Sequence, residues 1–434
     1  MPRASLLALV LAACGDEARS ARELRVIDTL ALDNRAYADR DRDLVELKLV
    51  KMQRSAYDWM RGTSAVYWRD VNDGVIATAF PAPAVLLVGD PHPENVGTFR
   101  AADGTLLADW NDLDAAGYGP FTADVRRLAV GLIMATSGDG SDDVELAQRV
   151  ARGYAMEIAA LAGGAPPLEL RAGLHPLIDE ELDEASDQGT ARAALAELAP
   201  GGVLVIGDRK ERAQDGVYED TVREVSPAEG ALLDAAIAQW ASRRGETVSV
   251  KLRARRIGQG VSSYPALRYN VVLADDRLLE LKEQRDTAVP GGAPQLLTAE
   301  WPSPASRVTD AQRRLQARPD ADPLLGRAEV QGASFKVRDR EAYQRNFSRD
   351  AIAALPRADE RSLAELLGRR LASAHGAARA PDGRPGWMAI APVLGDGVAF
   401  ADEIATSAVA EARQTRDDFR SFEHVDDLAA LVLP

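Results

Sequence analysis

The feature that most constrains this chain is a continuous apolar run, Ala84-Val85-Leu86-Leu87-Val88, that stops at Gly89-Asp90 and is followed closely by a second acidic stretch, DWNDLD, at residues 109–114. A short unbroken apolar run bounded by turn residues reads as a buried strand. Asp90, His92 and Asn95 then occupy a loop that a rigid scaffold can hold against a ligand. Further strands are expected around 98–100 and 106–109, joined by Ala101-Ala102-Asp103-Gly104, a turn signal of hairpin length. If alternation continued past Trp110, Asp112 and Asp114 would share one side of the strand and Asp109 would face the other way. Carboxylates crowded beside apolar strands repel one another unless a cation or hydrogen-bond donors neutralise them. The pattern therefore predicts one acidic, divalent-metal-binding site built around Asp90, His92, Asn95, Asp109, Asp112 and Asp114. The plainer alternative is a pair of Asp-rich turns whose carboxylates cap backbone N–H groups.

Around this stretch the periodicity is helical. A helix is expected over 41–60, with Leu44, Leu47, Leu49, Val50 and Met52 on its apolar side, broken at 60–64. Another begins at Asp124 with Val125, Leu128, Ala129, Leu132 and Ile133 on one face, and a third runs from Ser141 to Gly163-Gly164. Residues 165–245 read as helical and acidic, with IDEELDEASD as a solvated face. From 248 the pattern switches to alternation, VSVKLRARRIGQG and ALRYNVVLADDRLLELKEQ, which predicts a small antiparallel sheet. Helix returns at 361–378, with Ser362 and Glu365 in a capping-box pattern ahead of an apolar stripe. The expected organisation is α+β: a leader and tether at 1–20, a helical part at 21–245, a sheet part at 246–345 and C-terminal helices at 346–434.

At 434 residues and 46 % hydrophobic the chain can bury a large core. A net charge of −15 argues against nucleic acid as the main partner, because that affinity comes from clustered cations. Met1-Pro2-Arg3, a short apolar run and then Leu11-Ala12-Ala13-Cys14 resemble the signal and lipobox of bacterial lipoproteins, in which the cysteine is lipidated. Cys14 is the sole cysteine, which excludes an intramolecular disulfide. A lipid-anchored protein of the cell envelope is the expectation, with a cytoplasmic protein as the alternative if the start is misassigned.

The motif GDPHPEN at 89–95 resembles the catalytic loop of aminoglycoside-phosphotransferase-type kinases, Gly-Asp-x-His-x-x-Asn. That resemblance implies that Asp90 takes the acceptor hydroxyl proton and Asn95 holds Mg²⁺ (or Mn²⁺). It also implies that Asp112 holds metal and bridges phosphates, with Asp109 and Asp114 as competitors. Gly258 and Gly260, in a turn between strands, could cover the phosphates of ATP or another nucleotide, with Lys282 on the third strand. The kinase pattern usually carries another glycine where this chain has Ser262 or Ser263. His92 is expected to orient the turn by hydrogen bonds, with metal ligation as the lesser option.

Across most of the chain, KMQRSAYDWMRGTSAVYWRD, GDPHPENVGTF, NDLDAAGYGPFTADVRRLA, LLELKE, LASAHG and AFADE together resemble the bacterial family known as domain of unknown function 2252. In ordinary kinases the Gly-rich sheet and its lysine precede the catalytic loop, whereas here they follow it. A two-lobed kinase-like fold in circularly permuted order reconciles this, because LAELLGRRLASAHG resembles the helix that directly precedes a kinase catalytic loop. Permutation requires that helix to pack beside the Asp90 loop and Lys282 to point at Asp112.

The leading expectation is a kinase-like phosphotransferase acting from a Mg-nucleotide, or on a phosphorylated small molecule, with an unknown acceptor. The alternatives are a metal-dependent phosphoester hydrolase and a catalytically inactive, ligand-binding lipoprotein of kinase-like fold. Arg61, Arg126 and Arg127 are expected to pair with the acid cluster, and His375 to be a core or capping residue.

Overall fold

Two apolar periodicities sort the chain into a helical body and a sheet. The computed structural model describes residues 19–433 apart from 77–79, 102, 137–139, 188–192, 211–212, 287–299 and 341–344. The leader and Cys14 lie outside the described residues. Helices α1 (Ala21–Ala38), α2 (Arg42–Met52), α3 (Ala56–Gly62) and α4 (Ser64–Asn72) open the structure. The expected single helix over 41–60 is two, because Ser55 caps a new helix through a hydrogen bond to the Asp58 N–H. The break at Thr63 falls where the sequence placed it.

Strand β1 (Ala84–Leu87) pairs antiparallel with β4 (Gly117–Pro120), and β2 (Val96–Arg100) with β3 (Leu106–Trp110) forms the expected hairpin. Helix α5 (Phe121–Ala135) is buried on every side, and α6 (Gly140–Ala162) follows it, ending where Gly163-Gly164 signalled. Next come α7 (Pro176–Asp187), α8 (Ala193–Leu198), β5 (Gly207–Asp208), β6 (Thr221–Arg223) and α9 (Pro227–Arg243). The expected alternating segment forms β7 (Val250–Ile257), β8 (Arg268–Leu273) and β9 (Leu278–Glu283). It is followed by α10 (Pro304–Leu315), β10 (Gly326–Val330) and β11 (Ala333–Asp339). The C-terminal part is helical: α11 (Arg349–Ala353), α12 (Arg357–Ala377), α13 (Trp387–Leu394), α14 (Val398–Phe422) and α15 (Leu428–Val432).

The sheet has seven strands in the order β10-β11-β9-β8-β7-β6-β5, antiparallel throughout, so it also recruits two strands from before residue 246. Period-two alternation divides its faces. Tyr269, Leu279, Leu281, Phe335 and Val337 pack against Leu233, Ile237 and Trp240 of α9. The other face carries Asn270, Glu280, Lys282 and Lys336, all buried, which places ionisable groups against the helical body. Mixed helix and sheet, segregated along the chain, make this an α+β protein.

Helix α12 begins at Arg357, directly after Pro356, so Ser362 lies inside it and Ser362 with Glu365 is not its capping box. Proline's fixed φ and missing N–H favour that earlier start. Helices α6 and α12 approach closely: a Cβ on Gly153 would stand 2.2 Å from the Glu365 carbonyl oxygen, and one on Gly368 would stand 2.1 Å from that of Val150. Either substitution would force the pair apart. Among the described residues, no helix is long and apolar enough to cross a membrane.

Candidate functional site

The site begins where β1 ends. Gly89 has φ +91°, and a Cβ there would stand 2.1 Å from the Ala115 carbonyl oxygen, so only glycine lets the Asp90 loop run against the 112–116 segment. Asp124, in the first turn of α5, is fully buried and pins this turn from behind. Its carboxylate accepts the N–H of Val88 at 2.8 Å and of Gly89 at 3.1 Å. His375 of α12 donates to the same carboxylate from Nε2 at 3.1 Å, and its Nδ1 accepts from the Tyr154 hydroxyl at 2.9 Å. Helix α12 thus packs behind the loop through a buried Tyr154–His375–Asp124 chain. His375 is the core residue expected.

Asp90 accepts from Arg127 Nε at 2.8 Å through Oδ1, and Arg127 also donates to the Met60 carbonyl. Burial raises the Asp90 pKa above the ordinary carboxylate value, and Arg127 offsets only part of that rise. His92 does not orient the turn through its side chain. Its Nε2 is 4.0 Å from Asp90 Oδ2, beyond hydrogen-bond reach, and its buried Nδ1 has no hydrogen-bond partner among the described residues. Burial and the nearby Arg61 and Arg127 hold the imidazole neutral, its pKa well below the usual value. The turn is held instead by backbone bonds and by the Asn95 amide, whose Nδ2 donates to the Asp90 carbonyl at 2.9 Å. That bond leaves the Asn95 amide oxygen as its group for a ligand.

The chain leaves β3 after Trp110, and alternation does not carry on to Asp112. Asp112 and Asp114 nonetheless face the cleft together, because Asp112 Oδ1 accepts the Asp114 N–H at 3.3 Å in a local turn. Lys282 reaches both from the sheet, its Nζ 2.9 Å from Asp112 Oδ2 and 2.5 Å from Asp114 Oδ2. Burial disfavours charge on Asp112, yet Lys282 and then Lys336 hold it ionised, far below the usual carboxylate range.

Asp109 is not brought to the cleft. It is fully buried in a bidentate pair with Arg370 of α12, at 2.8 and 3.1 Å, and accepts the Ala317 N–H. This carboxylate ties α12 to the hairpin and is a structural group, a correction to its placement among the metal ligands. Of the arginines, Arg127 meets Asp90, Arg61 meets Glu94 at 2.7 Å, and Arg126 turns to the Tyr67 hydroxyl at 3.3 Å.

Gly258 and Gly260 lie in the turn after β7 with φ of +97° and +74°. Gly258 is needed for packing, since a Cβ would stand 2.6 Å from the Tyr218 carbonyl oxygen, while Gly260 lines the cleft with Asn95, Asp112 and Lys282. Arg268, Lys336 and Arg338 line the same cleft and were not singled out from sequence. The signal for Lys336 and Arg338 was present in the alternation of FKVRD and that for Arg268 in ALRYNVVL, but only strand pairing shows that Arg268 and Lys336 stand directly opposite Lys282. Among the described residues, no three His, Cys, Asp or Glu side chains converge as a metal cage.

Fold and site together define an α+β protein with a buried cleft, acidic on the loop side and basic on the sheet side. Residues 40–425 match the family described as uncharacterized protein conserved in bacteria (DUF2252), and the chain belongs to it. No curated protein and no solved structure matches the chain.

Proposed function

We propose that this chain is a kinase-like phosphotransferase whose catalytic-loop lobe precedes its phosphate-binding sheet lobe, the circular permutation of the usual kinase order. The observation that carries the reading is the contact of Lys282 with Asp112 and Asp114. It joins a lysine on the third strand of the sheet's β7–β9 run to an acidic turn beside a Gly-Asp-x-His-x-x-Asn loop. A lysine, a loop aspartate, an asparagine and a second aspartate around one cleft are the groups that phosphoryl transfer requires for positioning and charge neutralisation.

In this reading Asp90 orients the acceptor hydroxyl and takes its proton, Arg127 fixing one oxygen so that the other faces the acceptor. Its raised pKa makes it a stronger base than an ordinary aspartate. Lys282 and the turn at Gly260 hold the phosphates of the donor. The residues fit a divalent cation: Asp114 Oδ1 is buried without a hydrogen-bond partner among the described residues, Asp112 is held ionised, and the Asn95 oxygen is available. Asn95, Asp112 and Asp114 would hold Mg²⁺ or Mn²⁺, which would neutralise charge on the transferred group, with donor phosphates completing its coordination.

Thermal unfolding of the full chain with Mg²⁺, ATP and both, beside Asp112→Ala, tests this. A nucleotide at about 100 times its dissociation constant adds roughly 2.7 kcal/mol of stability. The expected result is a shift that needs Mg²⁺ and ATP together and is lost in the variant. A shift from metal alone, unchanged by ATP, would sink the reading in favour of a metal-dependent hydrolase or a binding protein.

A further inference from the structure

Arg61, Arg268, Lys282, Lys336 and Arg338 line one cavity of about 330 Å³, against the carboxylates of Glu94 and Asp112. Arg268 and Lys336 each stand directly opposite Lys282 on the two strands that flank β9, so three cations lie side by side across the sheet. Like charges directly opposite one another destabilise a sheet. The row is only partly neutralised from within the protein. The single carboxylate of Glu280 faces Arg338 at 2.8 Å, Arg268 at 3.7 Å and Arg340 at 3.8 Å. Among the described residues Lys336, 2 % exposed, makes its side-chain hydrogen bond to the neutral Gln312 amide oxygen, at 3.3 Å, with Asp114 and Asp112 acting on it through space and no ion pair of its own.

A nucleobase is ordinarily held between apolar or aromatic walls. Among the described residues lining this cavity, Phe347 is the one hydrophobic side chain, and it is itself packed into the core. Two cavities adjoin it: one runs to Asp90 and His92 and has Ala115 and Val261 as its hydrophobic lining, and the other, beyond Asp114, contains Tyr37, whose ring the Arg285 guanidinium already covers at 4.2 Å. The cleft is therefore rich in sites for phosphate oxygens and poor in surface for a base.

We propose that the cleft recognises a condensed phosphate chain and not a nucleobase, so that inorganic tripolyphosphate serves as donor as well as a nucleoside triphosphate does. This rests on the phosphotransferase reading and narrows its donor. The acceptor oxygen forms a bond to the terminal phosphorus, and the bridging P–O bond breaks. The shortened phosphate chain leaves with that electron pair, and the hydroxyl proton passes to Asp90 and then to water. No other co-reactant is needed. A lipid-anchored protein of the cell envelope, the expectation raised by Leu11-Ala12-Ala13-Cys14, would meet little ATP, and a base-free donor fits that setting.

The test is calorimetric titration of the full chain, in Mg²⁺, with tripolyphosphate, ATP, GTP and AMP. Tripolyphosphate, ATP and GTP should bind within about threefold of one another, and AMP at least about a hundredfold more weakly. Lys336→Gln and, separately, Arg268→Gln should each weaken all three triphosphates by about tenfold or more, the loss of one charge-assisted contact. Two variants on different strands guard against one that fails to fold. ATP binding about tenfold tighter than both GTP and tripolyphosphate would overturn the inference and leave the phosphotransferase reading standing. Equal binding left unchanged by either folded variant would place the ligand elsewhere and also overturn it. Binding of none of the triphosphates would sink both.

Discussion

The two walls of the cleft treat charge in opposite ways. On the loop side three carboxylates each have a partner of their own: Asp124 behind the turn holds His375 and two backbone N–H groups, Asp109 in the core holds Arg370, and Asp90 on the cleft wall holds Arg127. On the sheet wall, cations are set beside cations, with Glu280 and the two acids of the facing turn as counter-charges. One-to-one pairing in a dry interior fixes geometry, because breaking any pair leaves a buried charge alone. Surplus like charge does the reverse and costs stability until an anion arrives. In the proposed reading the loop wall positions and the sheet wall binds.

The largest effect expected on the positioning wall is kinetic. Asp90→Asn keeps the shape and the contact to Arg127 but removes the base, and phosphotransfer should fall by about 10²–10⁴-fold. Triphosphate affinity should hold, since in the proposed reading the donor lies against the opposite wall. The acid limb of the pH–rate profile should lie above that of an ordinary aspartate, because burial raises the Asp90 pKa and the ionised form is the base. An unchanged rate in Asp90→Asn would mean that the loop wall does no chemistry.

The next effect separates two aspartates three residues apart. Asp109→Asn leaves Arg370 buried without its counter-charge and should cost about 3–5 kcal/mol in chemical denaturation. Asp112→Asn should cost about 1 kcal/mol or less, because Asp112 is partly exposed and Lys282 keeps Asp114. That variant should instead lose metal-dependent triphosphate binding. Equal costs at the two positions would erase the distinction between a carboxylate paired in the core and one facing the cleft.

Local chemistry was legible in the sequence and long-range pairing was not. The run before Asp90, the β2–β3 hairpin and strands β7 to β9 follow from residues adjacent in the chain, and each forms as its pattern directs. Asp109 and Asp112 look alike in DWNDLD, and what separates them is Arg370, which folds back from 261 residues away. Ser362 and Glu365 satisfy a capping pattern, yet Pro356 starts the helix earlier, a local signal overridden by another upstream. His92 sits in its motif as expected, but its ring lies edge-on against Tyr57 and not on a hydrogen-bond partner. The cation row could not be read along the chain, because Arg268, Lys282 and Lys336 become neighbours only when β8, β9 and β11 align.

The last effect is a pH dependence confined to the sheet wall. Burial, with Arg338 and Lys282 beside it and Asp114 and Asp112 opposing, lowers the Lys336 pKa to about 8. In the unfolded chain the same lysine titrates near its ordinary value, so between about 8 and 10.4 the unfolded state binds the extra proton and stability rises with pH. Below about pH 8 both states are protonated, and the folded one bears the full cost of the buried charge, on the order of 3 kcal/mol. Lys336→Met should therefore stabilise the ligand-free protein at pH 7 and flatten this part of the pH profile. Triphosphate should reverse the ranking at pH 7, since the ammonium then gains its counter-charge, and its affinity for the unsubstituted protein should weaken as pH rises past about 8. Denaturation midpoints at pH 7 and pH 9, with and without tripolyphosphate, read both signs. A Lys336→Met protein less stable than its parent at pH 7 without ligand would show that the row is neutralised within the fold, and the sheet wall would then be no different from the loop wall.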